Sequence, residues 1–211
     1  MRTSIFLSIA ILVAAHPSLH AQSADEASLV VDEVLSNGAW VAEARTCPAE
    51  LAPAREVNDR TNSRDCGPGK LKACLSRCRA GGAGACYWLG QAIRGEGRNQ
   101  QAAEVLYQRS CRLGIASGCT NRAAGLSFEA KDSEAAQVCA VRTFEKTCAL
   151  NDPWGCTMYG LHLSQGVGTP VNNDLAIQVL KKSCRYGPQD EACTSGSRLR
   201  ERLLKARQIS K

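Results

Sequence analysis

The chain has 211 residues, with 26 basic against 20 acidic side chains, a formal charge of +6, 5% aromatic residues and 12 cysteines. That length suits one ordinary domain or a short solenoid and requires no second domain, and so mild a positive excess does not single out nucleic acid as a partner. Few aromatics beside many cysteines imply that covalent staples replace part of the stabilisation that large buried rings would have supplied.

In chain order, Met1-Arg2-Thr3 is followed by an apolar run from Ile5 to Ala15 and then by His16-Pro17-Ser18-Leu19-His20-Ala21. This is the order of a secretory signal, so residues 1–21 are expected to be a signal peptide cleaved after Ala21. An apolar run of eleven residues is too short for a membrane span, which needs roughly 20. No cysteine lies nearby to carry a lipid. The expected product is periplasmic or secreted, has no stable membrane insertion, and carries +5 once Arg2 is lost. All the cysteines fall in the exported part, where disulfides are the default.

Residues 22–66 are expected to form an N-terminal cap and linker. Leu29, Val30, Val31, Val34 and Leu35 suggest a short helix ended by Asn37-Gly38, and residues 58–69 are polar and turn-rich.

From residue 67 to 211 the cysteines expose a repeat. Cys78 and Cys86 are eight apart, as are Cys111 and Cys119, and Cys148 and Cys156; Cys184 and Cys193 are nine apart, and the first members recur at intervals of 33, 37 and 36. Three residues after each first Cys stand Gly81, Gly114, Asn151 and Gly187, residue types that readily take the left-handed conformation closing a helix. Upstream, Ala103, Tyr107 and Cys111, then Ala140, Phe144 and Cys148, then Ala176, Leu180 and Cys184 share one helical face. The second Cys of each pair opens the next helix. From it, Cys86, Leu89, Gly90 and Ile93 define a face, as do Cys156, Tyr159, Gly160 and Leu163. Gly90, Ala123 and Gly160 share the fourth offset, where a small residue lets the neighbouring helix approach.

Each unit is therefore a helix, a turn and a helix. Bridges Cys78–Cys86, Cys111–Cys119, Cys148–Cys156 and Cys184–Cys193 are expected between one unit and the next, each closing a ring worth about 2.5 kcal/mol. The central unit is irregular, with Arg122 where others have Leu89 and Tyr159 and no glycine loop after Ala130. At the C-terminus, Arg198, Arg200, Arg202, Lys205, Arg207 and Lys211 lie among Leu199, Leu203, Leu204 and Ile209, which reads as a capping helix with an apolar stripe and a polar outer face.

Gly118-Cys119, Gly155-Cys156 with Tyr159-Gly160, Gln165-Gly166-Val167-Gly168, Asn173-Asp174-Leu175-Ala176 and Ser183-Cys184 together resemble Sel-one-like repeats, which are tetratricopeptide-like. The paired cysteines are similar to those of the Helicobacter cysteine-rich protein family. The resemblance implies an all-α, right-handed α/α solenoid stapled by disulfides. It also raises weak penicillin binding or hydrolysis, because members of that family have been described so. Ser-x-x-Lys is absent here, its nearest counterpart being Thr143-Phe144-Glu145-Lys146 in a helix.

Four cysteines remain: Cys47, Cys66, Cys74 and Cys139, which allow three pairings. Cys74 and Cys139 align with core positions, so the simplest reading is a Cys47–Cys66 bridge beside two buried, inert thiols; a reactive or metal-binding thiol is the functional alternative. The repeat cysteines, spread along the chain, do not converge on a zinc centre. His162 is alone beside Leu161 and Leu163, with no catalytic arrangement around it. No catalytic residue, metal or cofactor is expected.

The leading expectation is a binding scaffold whose concave face, made by the first helices, holds a protein or an extended peptide. Its facing residues should be Tyr87, Gln91, Arg94, Thr120, Ser127, Thr157, Leu161 and Ser164. The alternatives are a weak β-lactam hydrolase and a thiol-redox or assembly factor.

Overall fold

The computed structural model describes residues 19–97 and 99–209; the core of the expected leader and Lys211 lie outside these. Among the described residues there are eleven α-helices and no strand. The N-terminal segment contains α1 (Leu19–Leu35), α2 (Gly38–Glu43) and α3 (Pro48–Leu51), followed by a tight turn at Ser63–Cys66. Asn37 caps α2, accepting the Trp40 N–H at 3.2 Å, so the Asn37-Gly38 break separates two helices.

The repeats then run as α4 (Leu71–Arg79), α5 (Ala83–Ala92), α6 (Gln100–Arg112), α7 (Ala116–Glu129), α8 (Glu134–Ala149), α9 (Pro153–Gln165), α10 (Asn173–Val179) and α11 (Glu191–Ile209). Each packs on its successor, the contact through α10 being extended by the tight turn Leu180–Cys184. This is an all-α helical repeat stapled by disulfides.

The turns follow from the local sequence. Gly81, Gly114, Asn151 and Gly187 all have positive φ, at 92°, 110°, 62° and 98°. After the first three, the amides of Gly82, Ile115 and Asp152 donate back to the carbonyls of Arg77, Ser110 and Thr147 at 2.9–3.1 Å, which closes the helix ends. The fourth turn has Pro188 at that place and cannot donate. The following helices start before their cysteines, so each Cys sits in a first turn and not at the opening residue. The expected Cys78–Cys86, Cys111–Cys119, Cys148–Cys156 and Cys184–Cys193 bridges are present.

Close approach explains the small residues. A Cβ on Gly90 would meet the Tyr107 ring at 2.8 Å, and one on Gly160 would meet Leu180 at 2.5 Å. Between α7 and α8, where no glycine loop exists, Gln137 does its work: its side chain donates to the Ser127 and Lys131 carbonyls at 2.9 and 3.2 Å and accepts from the Ser127 hydroxyl at 2.6 Å.

The remaining cysteines correct the sequence reading. They pair as Cys47–Cys139 and Cys66–Cys74, with Cα separations of 5.8 and 5.2 Å, so the expected Cys47–Cys66 bridge does not form and neither Cys74 nor Cys139 is a thiol. Both do occupy buried positions. Residues 25–66 act as a strap lying along the solenoid. Val30 and Val34 share one core with Leu71, Leu75 and Leu106. Gln108, buried in α6, donates to the carbonyls of Glu43 and Thr46 at 3.2 and 3.0 Å, and Lys146 of α8 donates to that of Ala49 at 2.6 Å. The strap then crosses the starts of α7 and α5: Val57 N–H donates to the Gly114 carbonyl at 3.0 Å, Asp59 accepts the Gly84 N–H at 2.7 Å, and the Thr61 carbonyl accepts the Trp88 indole N–H at 2.9 Å.

The strap is also the reason for Arg122. Its guanidinium donates twice to the Ala44 carbonyl, at 3.0 and 3.2 Å, and pairs with Glu104 of α6 at 3.2 Å. A Cβ on Gly125 would collide with that Glu104 carboxyl, so the glycine makes room for it. At the far end, Leu199 is buried and Leu203 packs on the core. Ile209, expected in the same apolar stripe, is instead 86% exposed. No helix among the described residues is long and apolar enough to cross a membrane.

Candidate functional site

The helices that follow each turn, α5, α7, α9 and α11, align their exposed faces around a groove of about 440 Å³. It is lined by Tyr87 and Gln91 of α5, Arg94 on the widened helical turn after it, Thr120, Asn121 and Ala124 of α7, Trp154 and Met158 of α9, and Glu191 of α11. Tyr87 stands edge-on to Trp88 with ring centres 5.1 Å apart, and 6.1 Å from Tyr107. Its hydroxyl accepts from the Gln91 amide at 2.9 Å, and burial pushes its pKa above the usual tyrosine value. Trp154 is 41% exposed on the opposite wall. The two ends of the lining differ in charge, with Arg94 on α5's extension and Glu191 on α11.

Four of the eight residues expected on this face therefore meet in one place: Tyr87, Gln91, Arg94 and Thr120. The other four, Ser127, Thr157, Leu161 and Ser164, do not line it. Thr157 is buried, its hydroxyl 2.8 Å from the Ser183 hydroxyl and donating to the Ala192 carbonyl at 3.1 Å. Thr120, although at the groove edge, is 2% exposed and lies 2.9 Å from the Thr147 hydroxyl while donating to Asp152 at 2.7 Å. On α7 and α9 the residue after the opening Cys thus stitches one unit to the next through a hydroxyl, and that is why it turns inward there. Ser127 is held by Gln137, and Ser164 donates to the Leu161 carbonyl at 2.8 Å.

Asn121, Ala124, Trp154, Met158 and Glu191 were not foreseen. Asn121 and Met158 stand two residues after their cysteines, and Trp154 and Glu191 two before theirs. The facing positions change along the repeats, from one, five and eight after Cys86 to two before and two after Cys156. A tryptophan directly after Pro153, at the expected start of a helix, was the available sequence signal for Trp154.

Where α6 and α7 meet the strap, the buried Glu104 and Arg122 anchor a polar cluster. Glu104 contacts Gln100 and Arg122, while Glu129 reaches Arg122 at 3.7 Å. Burial raises the Glu104 pKa to about 7, against the opposing pull of Arg122. Arg94 lies close enough to act on both Glu104 and Tyr107. The residues weighed for other chemistry are placed differently. Thr143 is buried and donates to the Cys139 carbonyl at 2.8 Å, and Lys146 is tied to the strap. His162 is buried against Phe144, its Nδ1 3.1 Å from the Val167 carbonyl oxygen, and burial lowers its pKa. All twelve cysteines are bridged, and no group of three or more potential metal ligands occurs among the described residues.

Aromatic walls with fixed amides between them suit an extended polypeptide: the rings accept apolar side chains, and Gln91 and Asn121 offer donors and acceptors to its backbone. Among known proteins, no family model, curated protein or solved structure matches the chain.

Proposed function

We propose that the chain is an exported Sel-one-like repeat scaffold that binds a partner protein through an extended peptide segment laid in the groove of α5, α7 and α9. One observation carries this reading: Tyr87, Gln91, Asn121 and Trp154, from three successive repeat units, converge on one open groove. Tryptophan, tyrosine and arginine are the residues that most often anchor interfaces, and Trp154, Tyr87 and Arg94 line this one. Six disulfides suit an oxidising compartment, which supports export. They also hold the groove-forming helices in place before any ligand arrives, so less ordering entropy is lost on binding.

The test is selection of displayed random peptides on the immobilised oxidised protein, followed by titration of the enriched sequences. Enriched peptides should share an apolar or aromatic anchor and lose at least tenfold in affinity on Trp154→Ala or Asn121→Ala. Failure to enrich any sequence, or enrichment indifferent to both substitutions, would refute the groove as the binding surface.

A further inference from the structure

The last helix gathers three of its cations on the side away from its packing. Residues 198–211 hold six basic side chains and one acidic, a net +5, which leaves only +1 of the chain's +6 for residues 1–197. At 3.6 residues per turn, Arg198, Arg202, Lys205 and Ile209 fall in one stripe. The opposite side of α11 packs inward through Ala192, Cys193, Gly196 and Leu199. Arg207 belongs to that packed side, paired with Asp174 of α10 at 3.2 Å. Arg198, Arg202 and Lys205 have no ion pair among the described residues and, with Glu201, surround an open depression of about 420 Å³. Ile209 ends the stripe, its side chain in solvent.

We propose that this stripe docks the protein peripherally on an anionic lipid surface. Three unpaired cations complement a sheet of phosphate headgroups. The isoleucine decides between a membrane and a dissolved polyanion. A soluble polymer is held by the cations alone, whereas a bilayer places its acyl boundary just below the phosphates, where one apolar side chain sharing the cationic stripe is buried. Each cation near such a surface contributes about fivefold in binding, so three give about 10²-fold, and Glu201 at the rim keeps the attachment weak and reversible. The groove touches this helix only at Glu191, so the docking stripe and the peptide groove use different residues.

Co-sedimentation of the oxidised protein with phosphatidylcholine vesicles, with and without phosphatidylglycerol, tests this at low and high salt. Binding is expected only to the phosphatidylglycerol vesicles and should fade with salt. The triple change Arg198→Gln, Arg202→Gln, Lys205→Gln should lower it about 10²-fold, and Ile209→Asn should lower it severalfold. Arg207→Gln should leave it unchanged. These side chains are exposed, so circular dichroism should be the same for every variant. Equal partition into neutral vesicles, undiminished binding by the triple variant, or indifference to Ile209→Asn with inorganic polyphosphate bound as well as vesicles would each overturn the proposal.

Discussion

Removing the Cys47–Cys139 bridge by Cys47→Ala with Cys139→Ala should destabilise the protein more than removing any of the other bridges. This bridge spans 92 residues, whereas the other five span 8 or 9. In the loop-entropy relation, three local bridges inside the large ring shorten it, and the closure is still worth about 4.5 kcal/mol, against about 2.6 kcal/mol for a ring of about nine residues. The control is Cys148→Ala with Cys156→Ala; both of its cysteines are buried whereas Cys47 is only half-buried, so packing loss does not favour the long bridge and the difference of about 2 kcal/mol is carried by the ring. At roughly 2–4 °C per kcal/mol for a chain of this size, the melting temperature should fall by about 9–18 °C in the first variant and about 5–10 °C in the second. Urea and thermal unfolding without reductant measure both. Hydrogen exchange should also accelerate at residues 44–49, where the strap has lost its covalent tie but keeps the bonds from Gln108, Arg122 and Lys146. If the long bridge contributes no more than the local one, the strap is held by those polar contacts alone and the reasoning fails.

Glu104 makes stability depend on pH. The folded chain holds this proton up to about pH 7, the unfolded chain only to about 4.5, so between these values the folded state binds more protons and stability should fall as pH rises, by up to about 3 kcal/mol. Glu104→Gln should flatten that window in pH-dependent urea titrations, and an unchanged slope would exclude Glu104 as its source. Gly155→Ala drives a Cβ into the Thr147 hydroxyl and should cost about 1–3 kcal/mol in denaturant unfolding, whereas Gly38→Ala, with open space around it, should cost little. In the groove, Trp154→Ala should abolish peptide capture at nearly constant stability, while Leu163→Ala should lose about 2–5 kcal/mol through a core cavity. Equal loss of stability by both would mean that Trp154 is a packing residue.

The sequence by itself determined what depends on neighbours along the chain. The period, the helix-closing Gly81, Gly114, Asn151 and Gly187, the eight- and nine-residue bridges between units, and the small residues at helix crossings all follow from rules acting within about one helical turn or across one tight turn. The Cys66–Cys74 pair has the same eight-residue spacing, but Cys74 also aligns with a core position of the repeat, which reads as a buried thiol and leaves Cys66 to Cys47.

Tertiary structure alone decided the rest. The partner of Cys47 is 92 residues away, brought near only because the strap runs along α6 to α8. Arg122 looked like a defect in the pattern until its acceptor, the Ala44 carbonyl, came from that same strap. The groove was half legible for a related reason. Offsets of one and five from the opening cysteine hold on α5 and, at Thr120 and Ala124, on α7. By α9 the facing positions have moved to Trp154 and Met158, while Thr157 has turned in to meet Ser183. A one-dimensional spacing carries the geometry of a single helix faithfully, but which positions of successive helices meet is set by side chains packing across the interface, not by order along the chain.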